Sequence, residues 1–143
     1  MEVNTNSKEE TQKIGADLAN DLEGGDIIAL FGNLGAGKTT FVQGLAKALG
    51  IKKRILSPTF VFVRSYPFSK NSEKLTFHHL DLYRGQSISD FDALGLDEIF
   101  DKDAICVIEW ADKIEKFLPK KRIDVFFEIK NGDKRLINIR RNK

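Results

Sequence analysis

Ile27-Ile28-Ala29-Leu30-Phe31-Gly32-Asn33-Leu34-Gly35-Ala36-Gly37-Lys38-Thr39-Thr40-Phe41 decides the architecture of this chain. Ile27 to Phe31 is a short, unbroken apolar run bounded by glycines, which predicts a strand buried on both faces, as in a parallel sheet. Gly32-x-x-x-x-Gly37-Lys38-Thr39 follows. In this pattern successive backbone N–H groups cradle phosphates, the lysine neutralises β/γ oxygens and the threonine hydroxyl ligates Mg2+. Glycine lets the backbone curl without a Cβ obstructing the anion, and the helix starting at Thr39 directs its positive end at the phosphates. That helix carries Phe41, Val42, Leu45, Ala46, Ala48 and Leu49 on its apolar side before Gly50 ends it. A chance match to the pattern in a chain this long has odds of roughly one in a couple of hundred. The preceding strand and the following helix supply the context that separates it from a glycine-rich turn that binds nothing.

Outward from this segment, Ser7 and Glu10 read as a capping box opening an N-terminal helix with Ile14, Leu18 and Leu22 on one stripe and Gly24-Gly25 as its stop. Phe60 to Tyr66 and Leu75 to Tyr83 read as a strand pair joined by a longer loop through Ser69 to Lys74. Ser89 to Phe100 has helical features interrupted by Gly95. Ala104 to Ile108 is a second buried-strand run ending in Glu109, with a short helix after it up to Pro119. Ile123 to Ile129 and Leu136 to Ile139 form a hairpin around Asn131-Gly132. The expected fold is α/β: a P-loop NTPase-like three-layer arrangement with a mostly parallel central sheet and added antiparallel strands. With 143 residues, 41% of them hydrophobic, residues 1–143 are expected to be one domain.

The 23 Lys and Arg nearly balance 21 Asp and Glu, a formal net charge of +2, so no global attraction to nucleic acid or an anionic membrane follows. The basic stretches Lys120-Lys121-Arg122 and Arg140-Arg141-Asn142-Lys143 read first as solvated surface, with contact to RNA or an acidic partner as the alternative. Cys106 is the single cysteine, so an intrachain disulfide and a Cys-based zinc site are excluded, and its apolar strand makes it a core filler. The polar N-terminus and the absence of a spanning apolar stretch point to the cytoplasm and to no membrane association.

A P-loop ATPase also needs an acid at the end of a neighbouring strand, to hold Mg2+ through water or to orient the attacking water. Glu109 and Asp81 are the candidates. Their plainer readings are a helix N-terminal acid and a partly exposed strand carboxylate. His79 and Asp81 share a strand face, but two groups make half a metal site, and His78 points to the other face. The Asn/Thr-Lys-x-Asp segment of guanine-specific switches is absent, which favours ATP. Asn131-Gly132-Asp133-Lys134 has similar letters in the wrong order. A small-molecule kinase and a non-hydrolysing nucleotide-dependent interaction module remain alternatives; the first needs an acceptor pocket and lid with no obvious counterpart here, and the second does not need Asp81 and Glu109.

Taken in order, Gly32 to Phe41, Ser57-Pro58-Thr59-Phe60, His79-Leu80-Asp81-Leu82-Tyr83-Arg84 and Ile108-Glu109-Trp110 resemble the bacterial TsaE (YjeE) family. That family is the ATPase component of the machinery for the tRNA modification N6-threonylcarbamoyladenosine. The resemblance implies a nucleotide held by Asn33, Leu34, Gly35, Ala36, Gly37, Lys38, Thr39 and Thr40, with Thr59 near the γ-phosphate or metal and Trp110 beside the nucleotide. It implies Mg2+ on Thr39 with Glu109 and Asp81, catalysis by Glu109, Asp81 and Lys38, and TsaD and TsaB as partners, with tRNA contact direct or indirect. Hydrolysis would be slow alone and active with partners. Without the family, Ser57-Pro58-Thr59 reads equally as a turn into the next strand. Asn33 stands where the family usually carries an acid; its loss removes a repulsive charge beside a triphosphate and with it any contact specific to that acid.

Overall fold

The computed structural model describes residues 1–33, 35–52, 63–83 and 95–142. Among these residues seven strands form one mixed sheet in the order β1-β7-β6-β2-β5-β4-β3. They are β1 (Glu2–Thr5), β2 (Ile27–Phe31), β3 (Val63–Lys70), β4 (Glu73–Asp81), β5 (Ala104–Glu109), β6 (Arg122–Ile129) and β7 (Arg135–Asn142). The β6-β2-β5-β4 centre is parallel, and β3 on one side and β7 and β1 on the other add antiparallel edges. The fold is therefore α/β with a parallel centre, and β2 has a neighbour on each side and apolar residues on both faces, as its uninterrupted hydrophobic run requires.

One face of the sheet is covered by α1 (Lys8–Ala19) and α2 (Lys38–Ala48), whose Leu18, Phe41, Val42 and Leu45 pack against Ile28, Leu30, Phe77, Val107 and Val125. The other is covered by the single turn α3 (Leu96–Ile99) and a 3-10 helix (Ala111–Phe117), through Ile99, Ala111 and Ile114 on Ala29, Leu80 and Ile108. The two long helices cross with backbones nearly touching. A Cβ on Gly44 would lie 2.0 Å from the Gln12 carbonyl oxygen, and one on Gly15 would lie 2.2 Å from that of Phe41.

Several expectations need correction. Ser7 caps α1 through the Glu10 N–H at 3.2 Å, but Glu10 returns to the N–H of Asn6, not to that of Ser7. The helix stops at Ala19, five residues before Gly24, and Leu22 is buried from the turn beyond it. Past Ala19 the chain tightens into three-residue turns, the N–H groups of Asn20, Asp21 and Leu22 reaching the carbonyls of Asp17, Leu18 and Ala19, and Lys70 from far along the chain also donates to the carbonyls of Ala19 and Leu22. The loop expected between the third and fourth strands is a two-residue turn, Asn71-Ser72, with φ of 52° and 65°, so Ser69, Lys70, Glu73 and Lys74 are strand residues. β1 was not expected at all. Phe60 to Phe62, Ser89 to Ala93 and Leu94 lie outside the described residues.

Candidate functional site

Strand direction assembles the site. β2, β4 and β5 run parallel, so the loop leaving β2 and the ends of β4 and β5 meet at the carboxyl edge of the sheet, where open α/β sheets bind ligands. In register, Asp81 is level with Glu109, and both project, with His79, on the α2 side. The two acids and the phosphate-loop residues are thus brought together. Thr59 and Leu34 lie outside the described residues, as do Ser57 and Pro58 of the switch-like segment and Arg84.

The loop takes backbone shapes that need glycine. Gly35 and Gly37 have φ of 81° and 99°, and a Cβ on Gly32 would sit 2.9 Å from the Phe127 carbonyl oxygen. Gly37 is the N-cap of α2 and offers no side-chain acceptor, which leaves the first-turn N–H groups free of a capping side chain and open to an anion. Asn33 and Gly35 are exposed, Ala36 is buried, and Thr40 is half-buried in the first turn of α2.

Lys38 is 4% exposed and turned onto its own loop, where its ammonium donates to the Gly32 carbonyl and lies 3.5 Å from that of Asn33. The indole of Trp110 closes over it, 3.6 Å from nitrogen to ring centroid. Burial lowers the Lys38 pKa, opposed by the nearby charges of Glu109, Asp112 and Asp81. Trp110 reaches this position because it adopts a left-handed backbone, φ 60°, at the step from β5 into the 3-10 helix, and it packs on Tyr83 with ring centroids 5.0 Å apart.

Glu109, 3% exposed, is the hub. The Thr39 hydroxyl lies 3.0 and 3.2 Å from its two carboxylate oxygens. His79, fully buried, approaches the same carboxylate with Nε2 2.5 Å from Oε2. Asp81 accepts the N–H of Tyr83 at 3.1 Å, and burial together with the Glu109 charge raises its pKa. The role of His79 as the side chain holding Glu109 was not read from sequence; the signal was its position two residues before Asp81, on the same strand face. Arg135 was also missed. It donates to the Gly35 carbonyl from a hundred residues away.

Away from the site, Cys106 is buried with its thiol on the Ile99 carbonyl, and burial pushes its pKa up to about 12, so it is a core residue. His78 is half-buried against Ser65. Among the described residues no helix is long and apolar enough to cross a membrane, and no three His, Cys, Asp or Glu side chains group to hold a metal.

Comparison with known proteins agrees along nearly the whole chain. The family profile described as "Threonylcarbamoyl adenosine biosynthesis protein TsaE" matches residues 5–137. The tRNA threonylcarbamoyladenosine biosynthesis protein TsaE of Bacillus subtilis is 40% identical over 93% of this chain and 80% of its own length. That of Treponema pallidum is 34% identical over 97% and 99%, and that of Aquifex aeolicus 38% identical over 98% and 96%. The crystal structure of Bacillus subtilis YdiB superposes with a TM-score of 0.81 at 34% identity, covering all of this chain and 86% of that one. The strand, loop and helix around Lys38, the acids level on β4 and β5, and these matches lead to one assignment: the chain belongs to the TsaE family of threonylcarbamoyladenosine biosynthesis.

Proposed function

We propose that the chain binds ATP with Mg2+ on residues 33–40 and hydrolyses it, as the accessory subunit that drives the turnover cycle of the tRNA N6-threonylcarbamoyladenosine machinery. The observation that carries this reading is the meeting of Thr39 and Glu109, 3.0 Å apart next to the buried Lys38. The Thr39 hydroxyl and the Glu109 carboxylate are hard oxygen donors, the kind Mg2+ takes, and these two residues with Asp81 would hold the ion. When bound, Mg2+ would neutralise triphosphate charge.

The chain's own residues divide the remaining work. Lys38 leaves the Gly32 and Asn33 carbonyls for the β/γ oxygens, exchanging neutral acceptors for charged ones. Glu109 orients the attacking water, and His79 keeps its carboxylate from rotating away. Asp81, level with Glu109, supports the metal side, and Thr59 keeps its proposed role at the γ-phosphate. Trp110, above Lys38, shields the site from water. A lysine and a threonine both engaged internally suit a subunit that is slow alone and faster when TsaD and TsaB reshape the site. These partners and their tRNA put the reaction in the cytoplasm.

ATP turnover measured alone, with the TsaD–TsaB pair, and with tRNA added tests the proposal. Slow phosphate release alone, raised by the pair, is the expected result. Release no faster than the blank in every mixture overturns it.

A further inference from the structure

We propose that Arg135 is a positioning residue that holds the crest of the phosphate loop in its binding shape, an inference that rests on the nucleotide-binding reading above. Arg135 is the first residue of β7, and its backbone is fixed on both sides, level with Ile129 on β6 and Thr5 on β1. From that anchored root its guanidinium donates to the carbonyl of Gly35 at 3.0 Å and to those of Gly132 and Lys134 in the adjoining hairpin. Among the described residues no carboxylate forms an ion pair with it. A planar cation with several fixed donors is here spent on three neutral carbonyls, one of them on the loop.

Gly35 needs such a hold. It is exposed, its φ of 81° is one that few other residues adopt, and among the described residues nothing lies within 4 Å of where its Cβ would be to fix it by packing. Gripping the Gly35 carbonyl sets the peptide plane between Gly35 and Ala36, and the Ala36 N–H then points back across the loop, 3.1 Å from the Asn33 carbonyl oxygen. The helix α1, tied to β1, also lies beside the end of the loop. Thr5, level with Arg135, shares a buried 2.9 Å hydroxyl hydrogen bond with Thr11, whose methyl carbon would be 3.7 Å from a Cβ on Gly37. β7 thus reaches residue 35, where an anion-binding backbone must already be in place before its ligand arrives.

The test compares the intact protein with Arg135→Ala and Arg135→Lys by calorimetric titration with ADP and with ATP, steady-state turnover and thermal melting. Arg135→Ala should weaken ADP and ATP binding alike by about tenfold, the scale of one hydrogen bond from a charged donor, and raise KM correspondingly. Its kcat should stay within about twofold and its Tm near that of the parent, with Arg135→Lys recovering part of the affinity. Unchanged ADP affinity in Arg135→Ala overturns the inference. So does a fall in kcat with affinities intact, which would make Arg135 a contact to the reacting phosphate. If Arg135→Ala does not fold, Arg135→Gln, which keeps a donor without the charge, is held to the same comparison. Failure of the parent protein to bind either nucleotide overturns the phosphate-loop reading itself, a result distinct from a parent that binds and a variant that matches it.

Discussion

His79 Nε2 lies 2.5 Å from Glu109 Oε2 at a place where the imidazole is fully buried, and its Nδ1 has no hydrogen-bond partner among the described residues. A carboxylate only accepts, so the proton of this contact sits on Nε2, and the far side of the ring is left unsatisfied. An orphaned buried nitrogen is a cost that the fold accepts in order to hold Glu109. His79→Ala should therefore destabilise the protein by about 1–3 kcal/mol, because the buried carboxylate loses a donor. Urea unfolding checks this. His79→Gln, which can still donate, should recover part of the loss.

Binding and hydrolysis should separate at Lys38 and Glu109. Lys38→Ala removes the cation from the loop and should weaken ATP binding and abolish turnover. Glu109→Ala should keep much of the ATP affinity and lose about 10²-fold or more in hydrolysis with partners present. Nucleotide titration and phosphate release on the two variants decide it. If Glu109→Ala turns over normally, Asp81 becomes the lead acid.

Asp81 makes stability depend on pH in a defined sense. Burial and the Glu109 charge raise its pKa in the folded state, so between the unfolded and folded values the native state binds more protons. Its contribution is therefore favourable at low pH and is lost as pH rises through that window. Asp81→Asn, which carries no charge at any pH, should be more stable than the parent at neutral pH, and the two Tm values should converge in acid. A difference that grows in acid would contradict the shift.

The α1–α2 crossing gives a steric prediction. Gly44→Ala places a methyl 2.0 Å from a backbone oxygen on α1 that no side-chain movement can clear, and should cost about 3 kcal/mol or more. Gly50→Ala is the contrast. Its φ of 89° imposes strain of about 1–2 kcal/mol, but no atom of the described residues lies within 4 Å of the added Cβ. Denaturant midpoints of the two variants give the order.

What could be read from sequence was local. Ile27 to Lys38 is decided by neighbours in the chain: an apolar run, glycines where φ is positive, and a helix that follows at once. The same holds for Ala104 to Glu109. β1 was invisible because Glu2-Val3-Asn4-Thr5 has one apolar residue, and its strand character comes from pairing with β7. The Asn71-Ser72 turn was obscured because the strand ends beside it are polar, as exposed ends of an edge hairpin can be. In the site, Glu109 could be nominated because it ends an apolar strand and Asp81 because it is an acid within a strand-like segment, which the fold ends at Asp81 itself. The His79 contact depends on β4 lying beside β5 in one register, and the Arg135 contact on β7 lying beside β6 with its first residue at the loop edge. No local pattern encodes either.

The pairing of β1 with β7, Glu2 level with Asn138 and Thr5 with Arg135, also orders events in time. During synthesis β1 has no partner until β7 has left the ribosome, several seconds later at about 5–20 residues per second. The central parallel strands and both long helices can collapse beforehand, but this closure joins the two most distant stretches of the described chain and carries the highest loop-closure entropy. Arg135 comes level with Thr5 and reaches the Gly35 carbonyl in that late step. A nascent chain can thus be compact before Arg135 reaches the Gly35 carbonyl, and its grip on nucleotide would tighten when β7 docks.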